Sequence, residues 1–74
     1  MNIDEFIEKF AEAVEIDSFE NLNADTEFRQ LDEWSSLASL CVIAMIDEEY
    51  DRTVNGTMLR DCKTIGDLAK LTEQ

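Results

Sequence analysis

The sequence predicts an all-α fold of three main helices and one short helix, with a long first loop. Three observations carry that expectation. The chain has no Pro and only two Gly in 74 residues, whereas Glu, Leu, Ala and Ile are abundant, a composition that suits helices. Apolar residues recur at helical spacing in three separate stretches. Between the first two stretches that periodicity dissolves over residues 16–34. A chain of this length forms one domain, 1–74, with a small core, burying roughly 60% of the surface its unfolded form exposes.

The first helix is predicted over residues 2–15. Asn2 followed by Glu5 resembles a capping box, and Asp4 and Glu5 suit the positive end of a helix dipole. Ile3, Phe6, Ile7, Phe10, Ala11 and Val14 then form one buried stripe. The next segment is rich in turn formers: Asp17, Ser18, Asn21, Asn23, Asp25 and Thr26. Its apolar residues, Phe19, Leu22, Phe28 and Leu31, are too irregular for a helix and read as pins holding a loop, with a short helical turn around 28–31. Long loops in small domains are often functional.

The second helix starts at Ser35 or Ser36 and runs to about Asp51. It is apolar over nearly its whole circumference. A wheel of about 100° per residue puts Val42, Ile43, Ile46 and Tyr50, with Ser39, on one side as a core face. Ser36, Leu37, Leu40, Cys41, Ala44, Asp47, Glu48 and Asp51 gather on the other. A surface helix of a small domain needs one apolar face, so the second reads as a docking surface.

Residues 52–55 form a connector with Val54 turned inward, and Asn55-Gly56 marks a turn. A short third helix is predicted over 57–61, with Met58 and Leu59 on its apolar side. Thr64 with Asp67 opens the last helix as a second capping box, and Ile65, Leu68, Ala69 and Leu71 are its stripe. Short later connections favour antiparallel neighbours.

Composition excludes several function classes. Eighteen acids against six bases leave a net charge of −12, so the chain cannot neutralise a run of phosphates and does not bind nucleic acid. The same charge steers basic partner surfaces toward it. With no His, no serine triad of the usual kind can form, and Cys41 and Cys62 make no metal motif. Acids near 47–51 lack calcium-loop spacing and continue a helix. No catalytic residue and no metal are expected. Both cysteines lie in apolar helical contexts and read as reduced thiols. There is no basic-then-apolar leader, and no apolar run approaches membrane-spanning length. A soluble, cytoplasmic monomer that does not associate with membranes is expected.

That leaves the serine pair. Ser35 as a helix N-cap accounts for one hydroxyl. It leaves Ser36 and the ridge behind it unexplained. An exposed first-turn hydroxyl suits a phosphodiester, because the helix dipole and free N–H groups stabilise negative charge by roughly 0.3–1 kcal/mol.

Here the sequence resembles an acyl carrier protein. That family's D-S-L motif opens its second helix; the matching run is Ser35-Ser36-Leu37, continuing ASLCVIAMIDEEYD. The likeness extends over the first helix, the loop with Phe28 and Leu31, the Val54 connector and the closing TIGDLAKL. It implies a small four-helix carrier bundle that is not an enzyme. It implies that Ser36 bears a 4′-phosphopantetheine arm donated by coenzyme A, whose thiol holds an acyl or aminoacyl group as a thioester. The spacing to Leu37 favours Ser36 over Ser35 as the attachment point. Implied partners are a phosphopantetheinyl transferase and acyl-processing enzymes of fatty-acid, polyketide or related biosynthesis. They would dock basic patches on Leu37, Leu40, Cys41, Ala44, Asp47, Glu48 and Asp51. In the family the acyl chain can enter the bundle, which makes Val42, Ile46, Tyr50, Val54, Cys62 and Leu68 candidate lining or plain core.

Three departures stand out. Ser35 replaces the usual acid before the modified serine, and Ala38 and Cys41 occupy positions that are often acidic. Trp34 is also atypical of fatty-acid carriers, so a dedicated aminoacyl, peptidyl or polyketide-type carrier is implied as readily. The competing reading is an unmodified acidic helical module that docks on basic surfaces through the second helix. Only the carrier needs a hydroxyl at position 36.

Overall fold

Asn2 starts the first helix of the computed structural model, which describes residues 2–16 and 21–73. Its Oδ1 accepts the N–H groups of Asp4 at 3.0 Å and Glu5 at 3.3 Å, satisfying two first-turn donors. The helix, α1, spans Ile3–Ala13 and buries Phe6, Ile7, Phe10 and Ala11. A single 3-10 turn follows at Phe28–Gln30, then α2 at Ser36–Tyr50, α3 at Gly56–Arg60 and α4 at Ile65–Leu71. No strand occurs among the described residues; the only extended pairing is an isolated bridge between Glu27 and Thr64. The expected all-helical architecture is therefore present, with element ends shifted by one or two residues from expectation.

The long loop is held by backbone rather than by its apolar residues alone. The first-turn amides of α4 lack partners within their own helix. Loop carbonyls supply them: Ile65 N–H donates to Thr26 at 3.0 Å and Gly66 N–H to Ala24 at 2.8 Å. Thr64 and Asp67 complete a reciprocal capping box at the same helix start. Of the loop's expected pins, Phe28 is fully buried, Leu22 and Leu31 are half-buried, and Phe19 lies outside the described residues.

The core joins α1, α2 and α4, with α1 packed against both of the others. Phe28 fills the space beside Phe10, its ring 6.3 Å away, and Trp34 stacks nearly parallel to Phe10 at 6.3 Å. Trp34 and Phe28 meet at 4.7 Å, so the residues preceding α2 are fixed by an aromatic trio. Val54 is buried, as expected of an inward-turned connector, and Cys62 is buried in the same cluster.

The core face of α2 differs from the expected one. Ala38, Val42, Met45 and Ile46 are buried, whereas Ser39, Ile43 and Tyr50 are only half-buried. The face is rotated toward α1. Because α2 is apolar almost all round, periodicity alone could not centre the buried arc; the position of α1 does. Lys9 of α1 also reaches over to Glu49 of α2 at 2.8 Å, and that hydrogen bond raises its pKa above the ordinary 10.5.

Candidate functional site

The start of α2 divides the work between its two serines. Ser35 is the N-cap, with extended backbone, and its Oγ accepts the Ala38 N–H at 3.1 Å. Ser36 is the first helical residue and is exposed. Its hydroxyl has no hydrogen-bond partner among the described residues. The amides of Ser36 and Leu37 likewise have no acceptor there and stand free at the positive end of the helix. Ser39 Oγ donates to the Ser36 carbonyl at 2.7 Å, a local bond that leaves the Ser36 side chain untouched.

Behind Ser36 the outward face of α2 is apolar and then acidic. Leu37 is 70% exposed and Leu40 63% exposed, the two large hydrophobic side chains left in solvent among the described residues. Ala44, Asp47, Glu48 and Asp51 are also exposed, whereas Cys41 is half-buried against α1. No charged residue occurs from Ser36 to Ile46. The acids therefore begin roughly 16 Å down the helix from Ser36, at about 1.5 Å of rise per residue. They oppose the negative end of the helix dipole, and the last turn carries no base to offset them. Asp51 closes α2 in the left-handed region at φ 55°, a conformation that favours glycine.

Shallow grooves flank this face. On the α1 side, one of about 340 Å³ is bordered by Lys9, Ala13, Cys41, Ala44 and Met45. On the α3 side, one of about 350 Å³ is bordered by Arg29, Trp34, Leu40, Ile43, Leu59 and Arg60. Sequence reasoning missed Arg29. Its guanidinium donates to the carbonyls of Cys62 at 2.6 Å, Leu59 at 2.9 Å and Arg60 at 2.7 Å, holding the end of α3. It also lies 5.1 Å from the centre of the Phe28 ring. The only cue in the sequence was a lone base within an acidic, turn-rich loop.

Neither of these two grooves is lined by Val42, Ile46, Tyr50, Val54, Cys62 or Leu68. Those side chains fill the core, with Tyr50 half-buried at its edge beside Phe6. Burial pushes the Cys62 thiol up, with Asp67 adding to the effect, so Cys62 stays protonated and donates to the Met58 carbonyl. Among the described residues no cluster of His, Cys, Asp and Glu could hold a metal ion, and no helix is long and apolar enough to cross a membrane.

The family described as the phosphopantetheine attachment site matches residues 4–72, spanning all four helices. The chain belongs to that family. No curated protein and no solved structure gives a significant match. Members carry 4′-phosphopantetheine covalently and are non-catalytic carriers that serve acyl-processing enzymes and phosphopantetheinyl transferases. The carrier's exposed α2 start suits such a group. A phosphodiester needs an accessible hydroxyl and gains from unpaired amides, and this helix presents both.

Proposed function

We propose that Ser36 is the attachment point of the arm and that the chain carries an acyl or aminoacyl group for biosynthesis of fatty-acid, polyketide or related type. The observation that carries this reading is the division of labour between the two serines: Ser35 is occupied as the cap, and Ser36 has an accessible, unbonded hydroxyl. When attached, the group supplies a flexible tether ending in a thiol that holds cargo as a thioester. The chain's own contribution is to fix the tether's origin. Ser35 anchors the helix start, and the Phe10, Phe28 and Trp34 trio anchors the approach to it.

Partners dock, on this reading, over Leu37, Leu40, Cys41 and Ala44 near the tether and over Asp47, Glu48 and Asp51 farther along. Two features support it. Exposed Leu37 and Leu40 lie on the same side of α2 as Ser36. The terminal acids work against their own helix, which is intelligible if they serve a basic partner surface. The uncharged stretch from Ser36 to Ile46 favours partners whose entrance is apolar, hence a dedicated pathway over the general fatty-acid enzymes.

Intact mass tests the reading after incubation with coenzyme A, magnesium and a broad-specificity phosphopantetheinyl transferase. One added phosphopantetheine on the parent chain and none on Ser36→Ala is expected. An unchanged parent mass, with a known carrier loading in parallel, would favour an unmodified acidic binding module.

A further inference from the structure

We propose that Asn55 is a modification site: in the folded chain its side-chain amide closes on the Gly56 nitrogen and hydrolyses to aspartate and isoaspartate, with water as the only co-reactant. None of this depends on where the arm is attached. Four observations lead to it.

The first is sequence. Of the four asparagines, Asn2, Asn21, Asn23 and Asn55, only Asn55 precedes glycine. A residue without a Cβ lets its nitrogen approach the preceding side chain most freely. The second is that the fold does not call for glycine at position 56. Its φ is not positive, and a Cβ placed there meets no atom within 4 Å. Gly56 is also the first residue of α3, and glycine is a poor helix former.

The third is a free nucleophile. Gly56 has no acceptor for its N–H inside α3 and none elsewhere among the described residues. Asn55 and Gly56 are both exposed, so water and hydroxide reach them. The fourth is a polarised carbonyl. Asn55 Oδ1 accepts the Met58 N–H at 2.9 Å as the cap of α3. Attack on Cγ puts negative charge on that same oxygen, where a donor at this distance stabilises it. The bond that caps α3 therefore also favours the addition.

In the reaction the Gly56 nitrogen gives its proton to hydroxide and bonds to Asn55 Cγ. The side-chain nitrogen leaves as ammonia, and a five-membered imide remains. Water then opens the imide at either carbonyl. One opening gives aspartate, which keeps an oxygen for the Met58 N–H. The other gives isoaspartate, which adds a methylene to the main chain and displaces the cap. Both products add one negative charge to the chain's −12, at the edge of the groove that Gly56 shares with Trp34 and Leu40.

The test incubates the folded chain in mildly alkaline buffer beside Gly56→Ala and beside the parent held unfolded in urea. Trypsin, cutting after Arg52 and Arg60, then isolates residues 53–60. From the folded parent this peptide should yield two isomeric products of equal, slightly greater mass, at a rate within about tenfold of the unfolded chain. Gly56→Ala, which meets no obstruction, should convert about tenfold more slowly than the parent. No isomeric products from the folded parent, an equal rate in Gly56→Ala, or a folded rate more than about tenfold below the unfolded one would overturn the proposal.

Discussion

The Gly66 amide donates to the Ala24 carbonyl at 2.8 Å, and a Cβ placed on Gly66 would stand 2.9 Å from that same oxygen. This contact ties the long loop to the start of α4. Helix propensity alone says that Gly66→Ala gains about 1 kcal/mol. The loop backbone would have to move, so Gly66→Ala is instead expected to lose about 1–3 kcal/mol in denaturant titration. A gain would show that the loop yields freely.

The two serines at the start of α2 should separate stability from modification. Ser35→Ala removes the acceptor for the Ala38 amide and should cost about 1 kcal/mol while leaving Ser36 able to load. Ser36→Ala touches no internal bond and should change stability by less than about 0.5 kcal/mol. Thermal melts of the two variants decide the matter. A larger loss from Ser36→Ala would assign Ser36 a structural role.

Asp51 ends α2 at φ 55° with an acid on the negative end of the helix. Asp51→Gly relieves both conflicts and should stabilise the chain by about 1 kcal/mol, read from the denaturation midpoint at constant slope. If Asp51 contacts a basic partner, the same variant should weaken partner binding. A stability gain coupled to a functional loss is the signature of a residue kept for docking.

Stability should fall at both extremes of pH. Amides of Lys63 and Thr64 donate to Asp67 and hold its carboxyl below the ordinary 3.8. Its folded pKa is depressed, so its contribution is present above 3.8 and disappears as pH falls through the lower folded value. Asp67→Asn should therefore melt below the parent at neutral pH and converge with it in acid. The alkaline side has the opposite sign. The hydrogen bond from Lys9 to Glu49 and the burial of Tyr50 raise both pKa values, so their contributions fade as pH climbs through those values. A flat profile from pH 4 downward in the parent would contradict the Asp67 account.

What could be read from the chain alone was mostly local. Asn2, Ser35 and Thr64 cap helices by accepting amides two or three residues ahead, so short-range chemistry located those helix starts, whereas Asn55, read as part of a turn, caps α3 one residue earlier than expected. The serine pair was likewise visible, because a cap needs one hydroxyl. The buried arc of α2 was not. Ile43 and Met45 are both apolar, and only the position of α1 decides that Met45 goes inside. The Arg29 clamp on α3 joins residues 30 and 33 positions apart, and the Ala24–Gly66 approach is between two backbones. Neither leaves a periodic signal in the sequence.

On the proposed reading Ser36 Oγ, and no other atom, bears the arm. Fragmentation of the peptide spanning residues 32–51 after enzymatic loading from coenzyme A tests it most directly. The added mass is expected on every fragment containing Ser36 and on none that contains Ser35 without it, with Ser35→Ala loading as the parent does. Added mass on Ser35, or loading that persists in Ser36→Ala, would contradict it.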